Sequence, residues 1–203
     1  MSKNTAGKKA QQLPNLSVEE YIQLERESSA RYEYHDGKIY ALAGGTLNHG
    51  LICGNAYSSM RNALEKKGSE CLPCTSEVKL HIGETNSFVY PDAMVICGEI
   101  EPAPEDQNAV INPILIVEVL SESTAEYDRG DKFYLYRQIP DSREYVLIEQ
   151  KKHVVDVHFK SDNSDLWRIT RYEGLDKKIK LHSLGIEVTM EALYYRTKID
   201  LPE

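Results

Sequence analysis

The spacing of apolar residues along the chain predicts helices and short strands in a mixed order. Helical spacing, with apolar residues three and four positions apart, occurs in residues 17–28, 47–67, 124–138 and 189–196. Strand-like alternation or a continuous apolar run occurs in residues 70–75, 77–82, 88–97, 114–120, 144–150, 153–159, 166–172 and 178–181. This order predicts an α/β or α+β fold, with one domain over residues 14–203 and a flexible arm over residues 1–13.

Turn residues refine this prediction. Residues 31–43 alternate on both sides of Asp36-Gly37. Such a pair suits a type I′ turn, which needs positive φ at both central positions, so an N-terminal β-hairpin is predicted here. A second hairpin is predicted around Lys151-Lys152, and the acidic, proline-containing residues 99–112 predict a surface loop.

Two carboxylates interrupt the apolar strands. Glu118 lies inside the run 114–120, and Asp92 follows Pro91 inside the segment 88–97. Desolvating an unpaired carboxylate costs several kcal/mol, so each side chain has to be paired, protonated or bound to a metal. If the two strands are neighbours, the carboxylates converge at one point of the sheet, which suits a hard cation such as Mg²⁺.

The distribution of charge along the chain limits which groups can pair with the two carboxylates. The 203 residues include 24 Lys+Arg and 32 Asp+Glu, and the resulting net charge of −8 argues against non-specific coating of nucleic acid. Residues 80–128 contain ten acids and no Lys or Arg, so they contribute −10 and the rest of the chain +2. Part of this block, residues 99–106, is expected to be solvated loop. For Asp92 and Glu118 the partner is a residue from elsewhere or a metal.

Lys132 is a candidate for that partner. It lies near the start of the helix that follows the Glu118 strand, and its long side chain can reach back toward the carboxylates. The alternative is an exposed surface lysine. Asp128 and Arg129, in the same helix, are expected to be surface groups at the helix terminus.

The cysteines and the hydropathy pattern predict a cytoplasmic protein without a membrane partner. Cys71-Leu-Pro-Cys74 has CxxC spacing, but no second close pair or CxxH completes a zinc set. We therefore expect Cys53, Cys71, Cys74 and Cys97 to be reduced and structural. The sequence has no apolar run of transmembrane length and no apolar signal-peptide region near residue 1.

A set of motifs occurs in a fixed order between about residues 17 and 194. The motifs are Arg31-Tyr-Glu-Tyr-His-Asp-Gly-Lys-Ile-Tyr40, Ala43-Gly-Gly45, His49, Tyr90-Pro-Asp92, Pro113-Ile-Leu-Ile-Val-Glu-Val-Leu-Ser121, Asp128-Arg-Gly-Asp-Lys-Phe-Tyr-Leu-Tyr136 and Arg143-Glu-Tyr-Val146. Together they closely resemble the Uma-type family of putative restriction endonucleases, a branch of the PD-(D/E)XK nuclease superfamily.

The resemblance implies a restriction-endonuclease-like core, in which a mixed sheet is flanked by helices and Mg²⁺ is bound by acidic residues at its edge. By position, Asp92 matches the Asp of the PD motif and Glu118 matches the second acid. Leu120 occupies the position of the usual lysine, and the resemblance implies that Lys132 replaces it from the following helix. Mn²⁺ is a possible substitute for Mg²⁺ in this scheme.

Two further residues are implied as accessory members of the site. Glu33 matches the acid that many superfamily members contribute from their N-terminal part, and its alternative is an exposed hairpin residue paired with Arg31. His49 would assist the reaction or contact phosphate, and its alternative is a polar residue on a helix face.

The activity implied is metal-assisted hydrolysis of a phosphodiester in DNA. Asp92 and Glu118 would hold the metal that activates a water, and Lys132 would orient that water or stabilise negative charge. Lys38 and Lys79 are the first candidates for contact with nucleic acid; the others are Arg61, Lys66, Lys67, Lys151 and Lys152. These cations do not form one dense run, so we expect a homodimer to assemble a basic cleft.

Two alternative functions remain open at this stage. One is a non-catalytic module that binds nucleic acid or protein and retains the nuclease fold, which the scattered basic residues favour. The other is a phosphodiesterase acting on RNA or small nucleotides, which shares the same metal chemistry.

Overall fold

Thirteen short strands form the framework of the described part of the chain. The computed structural model describes residues 15–42, 44–122, 124–161 and 164–199, so the predicted arm at 1–13 lies outside it, and the single domain over 14–203 stays a prediction. The strands are β1 (Tyr32–His35), β2 (Lys38–Ala41), β3 (Leu72–Thr75), β4 (Lys79–Ile82), β5 (Ser87–Val89), β6 (Ala93–Ile96), β7 (Ala109–Val110), β8 (Leu115–Leu120), β9 (Glu144–Glu149), β10 (Val154–Lys160), β11 (Trp167–Glu173), β12 (Lys178–Leu181) and β13 (Ile186–Thr189).

Helices flank these strands. They are α1 (Val18–Glu27), α2 (Leu47–Lys67), α3 (Ala125–Tyr127), α4 (Phe133–Tyr136) and α5 (Met190–Leu193), with a 3₁₀ turn at Gly83–Thr85 and a π-helical turn at Asp128–Lys132 between α3 and α4. Among the described residues, every helix is too short or too polar to cross a bilayer. The longest, α2, begins at the N-cap Thr46 and ends at Gly68, whose φ of 70° suits a glycine cap.

The strands assemble into three sheets of mixed direction. Their orders are β2-β1-β5-β4-β7, β11-β10-β9-β8-β6-β3 and β12-β13. The pairs β8–β9 and β4–β7 are parallel, and the other ladders are antiparallel. This arrangement confirms the predicted α/β fold with mixed sheets and flanking helices, including both hairpins. In the first hairpin turn, Asp36 and Gly37 have φ of 44° and 95°.

The central strand of the six-stranded sheet, β8, is buried along its whole length, so both of its faces pack against apolar side chains. Val117 and Val119 pack with α2 and the β12–β13 sheet on one face. Ile116 and Leu120 pack on the other face with Tyr136 of α4 and with the five-stranded sheet. Each fully buried aliphatic side chain of this kind contributes about 1.5–3 kcal/mol of transfer free energy.

The single strand predicted over residues 88–97 is wrong, and the reason is Pro91. Proline lacks an N–H for a sheet ladder, so the strand stops at Val89 and a new one starts at Ala93. β5 pairs with β1 and β4 in the five-stranded sheet, whereas β6 pairs with β3 and β8 in the six-stranded sheet. Tyr90-Pro91-Asp92 therefore carries the chain from one sheet to the other.

Other boundaries also differ from the sequence prediction. The predicted loop at 99–112 contains β7, which lies parallel to β4, and its Asp106 is buried. The predicted helix at 124–138 is divided by the π-helical turn. The predicted helix at 189–196 is shorter, because it ends at Leu193 after its N-cap Thr189. The residues before it form β13, a strand that the pattern did not predict and that pairs with β12.

The expectation that all four cysteines are reduced is wrong, because Cys71 and Cys97 form a disulfide. β3 and β6 are antiparallel, with Leu72 opposite Ile96. The flanking cysteines are therefore brought together by strand pairing, although 26 positions separate them. Cys53 and Cys74 are not disulfide-bonded.

We predict that reducing this disulfide lowers the free energy of unfolding by about 3–4 kcal/mol, since it closes a loop of intermediate length in the unfolded chain. Urea unfolding with and without reductant measures the difference. Cys97→Ser should reproduce the effect of the reductant, and Cys74→Ser should not. Labelling of four thiols in the unfolded, non-reduced protein would contradict the assignment.

Candidate active site

Asp92 lies near Glu118, where the two large sheets meet. The β6–β8 ladder pairs Ala93 with Val117, and Asp92 directly precedes β6, so it lies beside the part of β8 that carries Glu118. Oδ2 of Asp92 accepts a hydrogen bond from the backbone N–H of Val119 at 2.7 Å. The segment at Pro91 thus positions the carboxylate of Asp92 against β8, the strand that carries Glu118.

Glu118 is buried and hydrogen-bonded. Alternation along β8 turns its side chain to the face of the sheet that α4 covers. There its Oε1 accepts hydrogen bonds from Nζ of Lys132 at 2.9 Å and from the hydroxyl of Tyr136 at 2.6 Å. Only 3% of Glu118 is exposed, so an ion pair of this kind is weakly screened by water.

Lys132 is a buried cation shared by several acids, so the alternative of an exposed surface lysine is wrong. Its Nζ lies 2.9 Å from Glu118, 3.5 Å from Oε1 of Glu33 and 3.7 Å from Oδ1 of Asp128. The residue belongs to the π-helical turn, a wider turn that often occurs at functional sites.

Glu33 reaches the site from β1. Its Oε1 accepts a hydrogen bond from the backbone N–H of Tyr90 at 3.4 Å, and His35 lies 3.8 Å from its other oxygen. The alternative pairing with Arg31 is wrong, because Arg31 pairs with Glu77. The N-terminal hairpin therefore contributes an acid to the same cluster as Asp92 and Glu118.

Asp128 is a site residue that the sequence prediction placed at the surface. It is 2% exposed, and its backbone oxygen accepts a hydrogen bond from the hydroxyl of Tyr145. Helical phase alone could not locate it, because the π-helical turn changes which side chains face the sheet. Arg129, also expected at the surface, is partly buried and binds Asp156 and Glu149 through its guanidinium.

His49 approaches the cluster from the first turn of α2. Its Nε2 lies 3.3 Å from Oδ2 of Asp92. The contact with Asp92 raises the pKa of His49 despite its burial. His49 is thus more than a polar residue on a helix face, since it contacts a candidate metal ligand.

Comparison with known proteins identifies the family. Residues 18–191 match the model of Uma2, described as "Putative restriction endonuclease". The chain belongs to the Uma2 family. This assignment confirms the resemblance of the ordered motifs to the Uma-type family.

Two relatives of similar length share about a third of the sequence. Uncharacterized protein slr1290 of Synechocystis sp. is 36% identical over 184 residues, which cover 89% of this chain and 92% of that protein. Uncharacterized protein sll1609 of the same organism is 34% identical over 171 residues, covering 84% of this chain and 95% of that protein.

A solved structure shares the fold. The crystal structure of a putative nuclease belonging to DUF820 from Anabaena variabilis aligns with a TM-score of 0.69 and covers 88% of this chain and 97% of that chain. The sequence identity is 16%, so the likeness concerns the fold. It supports the restriction-endonuclease-like core expected for a Uma2 protein.

The Uma2 site holds more negative than positive charge. Burial, only partly opposed by Lys132, raises the pKa of Glu118 to about 8, and the negative charges of Asp92 and Asp128 add to the effect. Burial also raises the pKa of Asp128. The pKa of Lys132 lies well above its ordinary value because the surrounding carboxylates outweigh its own burial. One ammonium therefore serves several carboxylates.

The other two carboxylates are held in the ionised form. Burial alone would raise the pKa of Asp92, but the hydrogen bond and charge of His49 and the N–H of Val119 hold it below its ordinary value. Burial would likewise raise the pKa of Glu33, but Lys132 and His35 lower it to about 2. Negative charge thus persists on both sides of the buried Glu118–Lys132 pair.

This donor set fits a divalent metal. The carboxylates of Glu33, Glu118 and Asp128 contact the Lys132 ammonium, and Asp92 lies at the backbone N–H next to Glu118. Oδ1 of Asp128 is buried without a hydrogen-bond partner among the described residues. Buried carboxylates in excess of their counter-ions are stabilised by a bound cation, and oxygen ligands suit hard cations.

The candidate DNA-contacting cations divide into two groups. Lys38 is exposed on β2. Lys79 is buried, and its Nζ lies 2.6 Å from both Glu25 and Asp106, so it joins α1 to the segment before β7 and is not accessible to a nucleic acid. The other cations expected at a nucleic-acid surface are exposed and comprise Arg61, Lys66, Lys67, Lys151 and Lys152.

We predict that Lys132→Met lowers the free energy of unfolding by about 3–5 kcal/mol at neutral pH, since it leaves buried carboxylates without their cation. The loss should shrink as pH falls, because protonation of Glu118 and Asp128 removes the uncompensated charge. Urea unfolding across pH measures both effects. The matched control is Lys152→Met at an exposed position; equal losses in the two variants would contradict the prediction.

Proposed function

We propose that this protein is a nuclease that hydrolyses phosphodiester bonds in DNA with Mg²⁺ bound by Asp92 and Glu118. The observation that carries the proposal is the position of Asp92, which directly precedes β6 and is hydrogen-bonded to the backbone of β8 next to Glu118, with the Lys132 ammonium in contact with Glu118. The membership of the Uma2 family supports a nuclease, and Mn²⁺ is proposed as a substitute ion.

The residues of the chain have separate roles in this proposal. The chemistry that Mg²⁺ supplies when bound is polarisation of the phosphate and a lowered pKa of a bound water. Asp92, held ionised by His49 and Val119, and Glu118, oriented by Tyr136, supply oxygen ligands.

Lys132 supplies a fixed positive charge beside the reacting phosphate, where negative charge develops in the transition state. Glu33 and Asp128 hold the Lys132 ammonium through their carboxylates. His49 is proposed as an accessory residue that keeps Asp92 ionised through its contact.

We also propose that the substrate is DNA, that the protein is a homodimer and that it is cytoplasmic. An acidic protein needs a local concentration of cations to bind DNA. Lys38 lies on the same hairpin as Glu33 and is exposed, which favours it as a DNA contact. We propose a cytoplasmic homodimer, because two copies provide two active sites for the two strands and combine their dispersed cations.

We predict Mg²⁺-dependent cleavage of DNA that depends on the buried pair. Glu118→Gln and Lys132→Met should each lower the cleavage rate at least ~10²-fold, since the first removes a proposed metal ligand and the second removes the positive charge beside the reacting phosphate. Cleavage of labelled duplex DNA, single-stranded DNA and RNA in parallel measures the rate and the substrate class.

Glu126→Gln and Lys152→Met change exposed residues and serve as matched controls. If neither Mg²⁺ nor Mn²⁺ supports cleavage by the folded parent, or if the four variants cleave equally, the nuclease proposal fails. Binding of DNA without cleavage would favour the non-catalytic alternative, and cleavage of RNA alone would replace the proposed substrate.

A second prediction concerns metal binding without a substrate. Mg²⁺ should raise the melting temperature of the parent, and the increase should be larger near pH 9 than near pH 6 because a proton occupies Glu118 below its pKa of about 8. In the metal-free protein this raised pKa should make stability fall as pH rises from about 4.5 to about 8.

Thermal unfolding with and without Mg²⁺ at both pH values measures this effect. Glu118→Gln should abolish the Mg²⁺-dependent increase, whereas Glu126→Gln should retain it. An increase of equal size in Glu118→Gln and in the parent would show that Mg²⁺ binds elsewhere.

A further inference from the structure

A thiol lies beside the proposed Mg²⁺ site without a role in it. His49 and Cys53 are four positions apart on α2, so their side chains share one face of that helix. Sγ of Cys53 lies 3.5 Å from Nδ1 of His49, and Nε2 of His49 lies 3.3 Å from Oδ2 of Asp92. One donor atom from each of the three residues lies within 4.8 Å of the other two.

The donor atoms lie slightly farther apart than the ligands of a tetrahedral metal site. Bonds of about 2.0 Å to nitrogen or oxygen and about 2.3 Å to sulfur place neighbouring ligand atoms about 3.5 Å apart. Two histidine or cysteine ligands one helical turn apart, completed by a carboxylate from another element, are also a recurrent way to bind zinc. The two short contacts are made by different ring nitrogens of His49, and one ion binds only one of them. With one donor atom per residue the separations are at most 4.8 Å, so side-chain rotation has to bring the donors about 1 Å closer to reach this geometry.

The donor types select a different ion from Mg²⁺. Mg²⁺ is bound by oxygen and avoids sulfur, whereas thiolate and imidazole favour Zn²⁺ and related transition metals. All three residues are partly buried, which leaves room for access from solvent. The set therefore differs from the Asp92 and Glu118 pair both in position and in chemistry.

We propose that His49, Cys53 and Asp92 form a second metal site that binds a thiophilic divalent ion of the Zn²⁺ class. Three protein ligands leave the fourth tetrahedral position to a water. Asp92 is common to both sites, so Zn²⁺ and Mg²⁺ compete for its carboxylate. The binding of Zn²⁺ itself does not require that the protein is a nuclease.

Binding at this site releases protons. The metal-free thiol of Cys53 is protonated, because burial and the nearby charge of Asp92 raise its pKa. A metal binds the thiolate and the neutral imidazole, so the ion replaces the thiol proton of Cys53 and any proton carried by His49.

Co²⁺ in place of Zn²⁺ provides a direct spectroscopic test on the full chain. The parent should develop a near-ultraviolet thiolate-to-Co²⁺ charge-transfer band and the intense visible bands of tetrahedral Co²⁺. One equivalent of Zn²⁺ should remove both. Cys53→Ser should abolish the charge-transfer band and weaken Co²⁺ binding at least ~10-fold. Loss of a residue that only hydrogen-bonds to a metal ligand already weakens binding by about that factor, and Cys53 is itself a proposed ligand.

Cys74→Ser is the matched control, because Cys74 is the other cysteine without a disulfide. Its spectrum should equal that of the parent. A parent without the charge-transfer band, or a band of equal strength in Cys53→Ser, would overturn the proposal.

A measurement on the unaltered protein covers the case in which Cys53→Ser does not fold. Saturating Zn²⁺ should slow alkylation of Cys53 at least ~10-fold without slowing that of Cys74, as read by mass spectrometry of peptides. Equal alkylation rates of Cys53 with and without Zn²⁺ would refute the site. Neither measurement uses DNA cleavage, so the absence of nuclease activity would not contradict the Zn²⁺ site. Likewise, the absence of Co²⁺ binding would not change what the Glu118→Gln variant shows about the nuclease proposal.

Discussion

The ammonium of Lys132 holds together three parts of the chain that are distant in sequence. It lies within 3.7 Å of carboxylates from the N-terminal hairpin, from β8 and from its own helical turn. In a poorly solvated site these ion pairs are strong, but one positive charge does not balance three carboxylates. Protons or a cation offset the remaining negative charge, and this excess connects the fold to the proposed metal chemistry.

Pro91 sets the position of this site within the fold. Because it ends β5 and lets β6 begin in another sheet, Asp92 lies at the junction of the two large sheets and against β8. β1 lies beside β5, so the same junction brings in Glu33. Helix α2 covers the opposite face of β8 and brings His49 to Asp92. Each site residue is thus supported by a regular element or by the turn between two of them.

The sequence predicts much of this arrangement because local rules govern it. An acid inside a continuous apolar strand marks Glu118, and the Asp36-Gly37 turn marks the hairpin that bears Glu33. The missed features depend on non-local or irregular structure: Asp128 is buried by a π-helical turn, Lys79 pairs with acids on two other segments, and Cys71 meets Cys97 through strand pairing. Periodicity along one segment carries no information about such contacts.

We propose that the acidic cluster around Lys132 binds a divalent metal through Asp92 and Glu118. The most direct measurement is an anomalous difference map from a crystal of the parent protein soaked in Mn²⁺, collected where manganese scatters anomalously. We expect a strong peak between the carboxylates of Asp92 and Glu118, absent after the same soak of Glu118→Gln crystals. A fully soaked parent crystal without a peak at these carboxylates would contradict it.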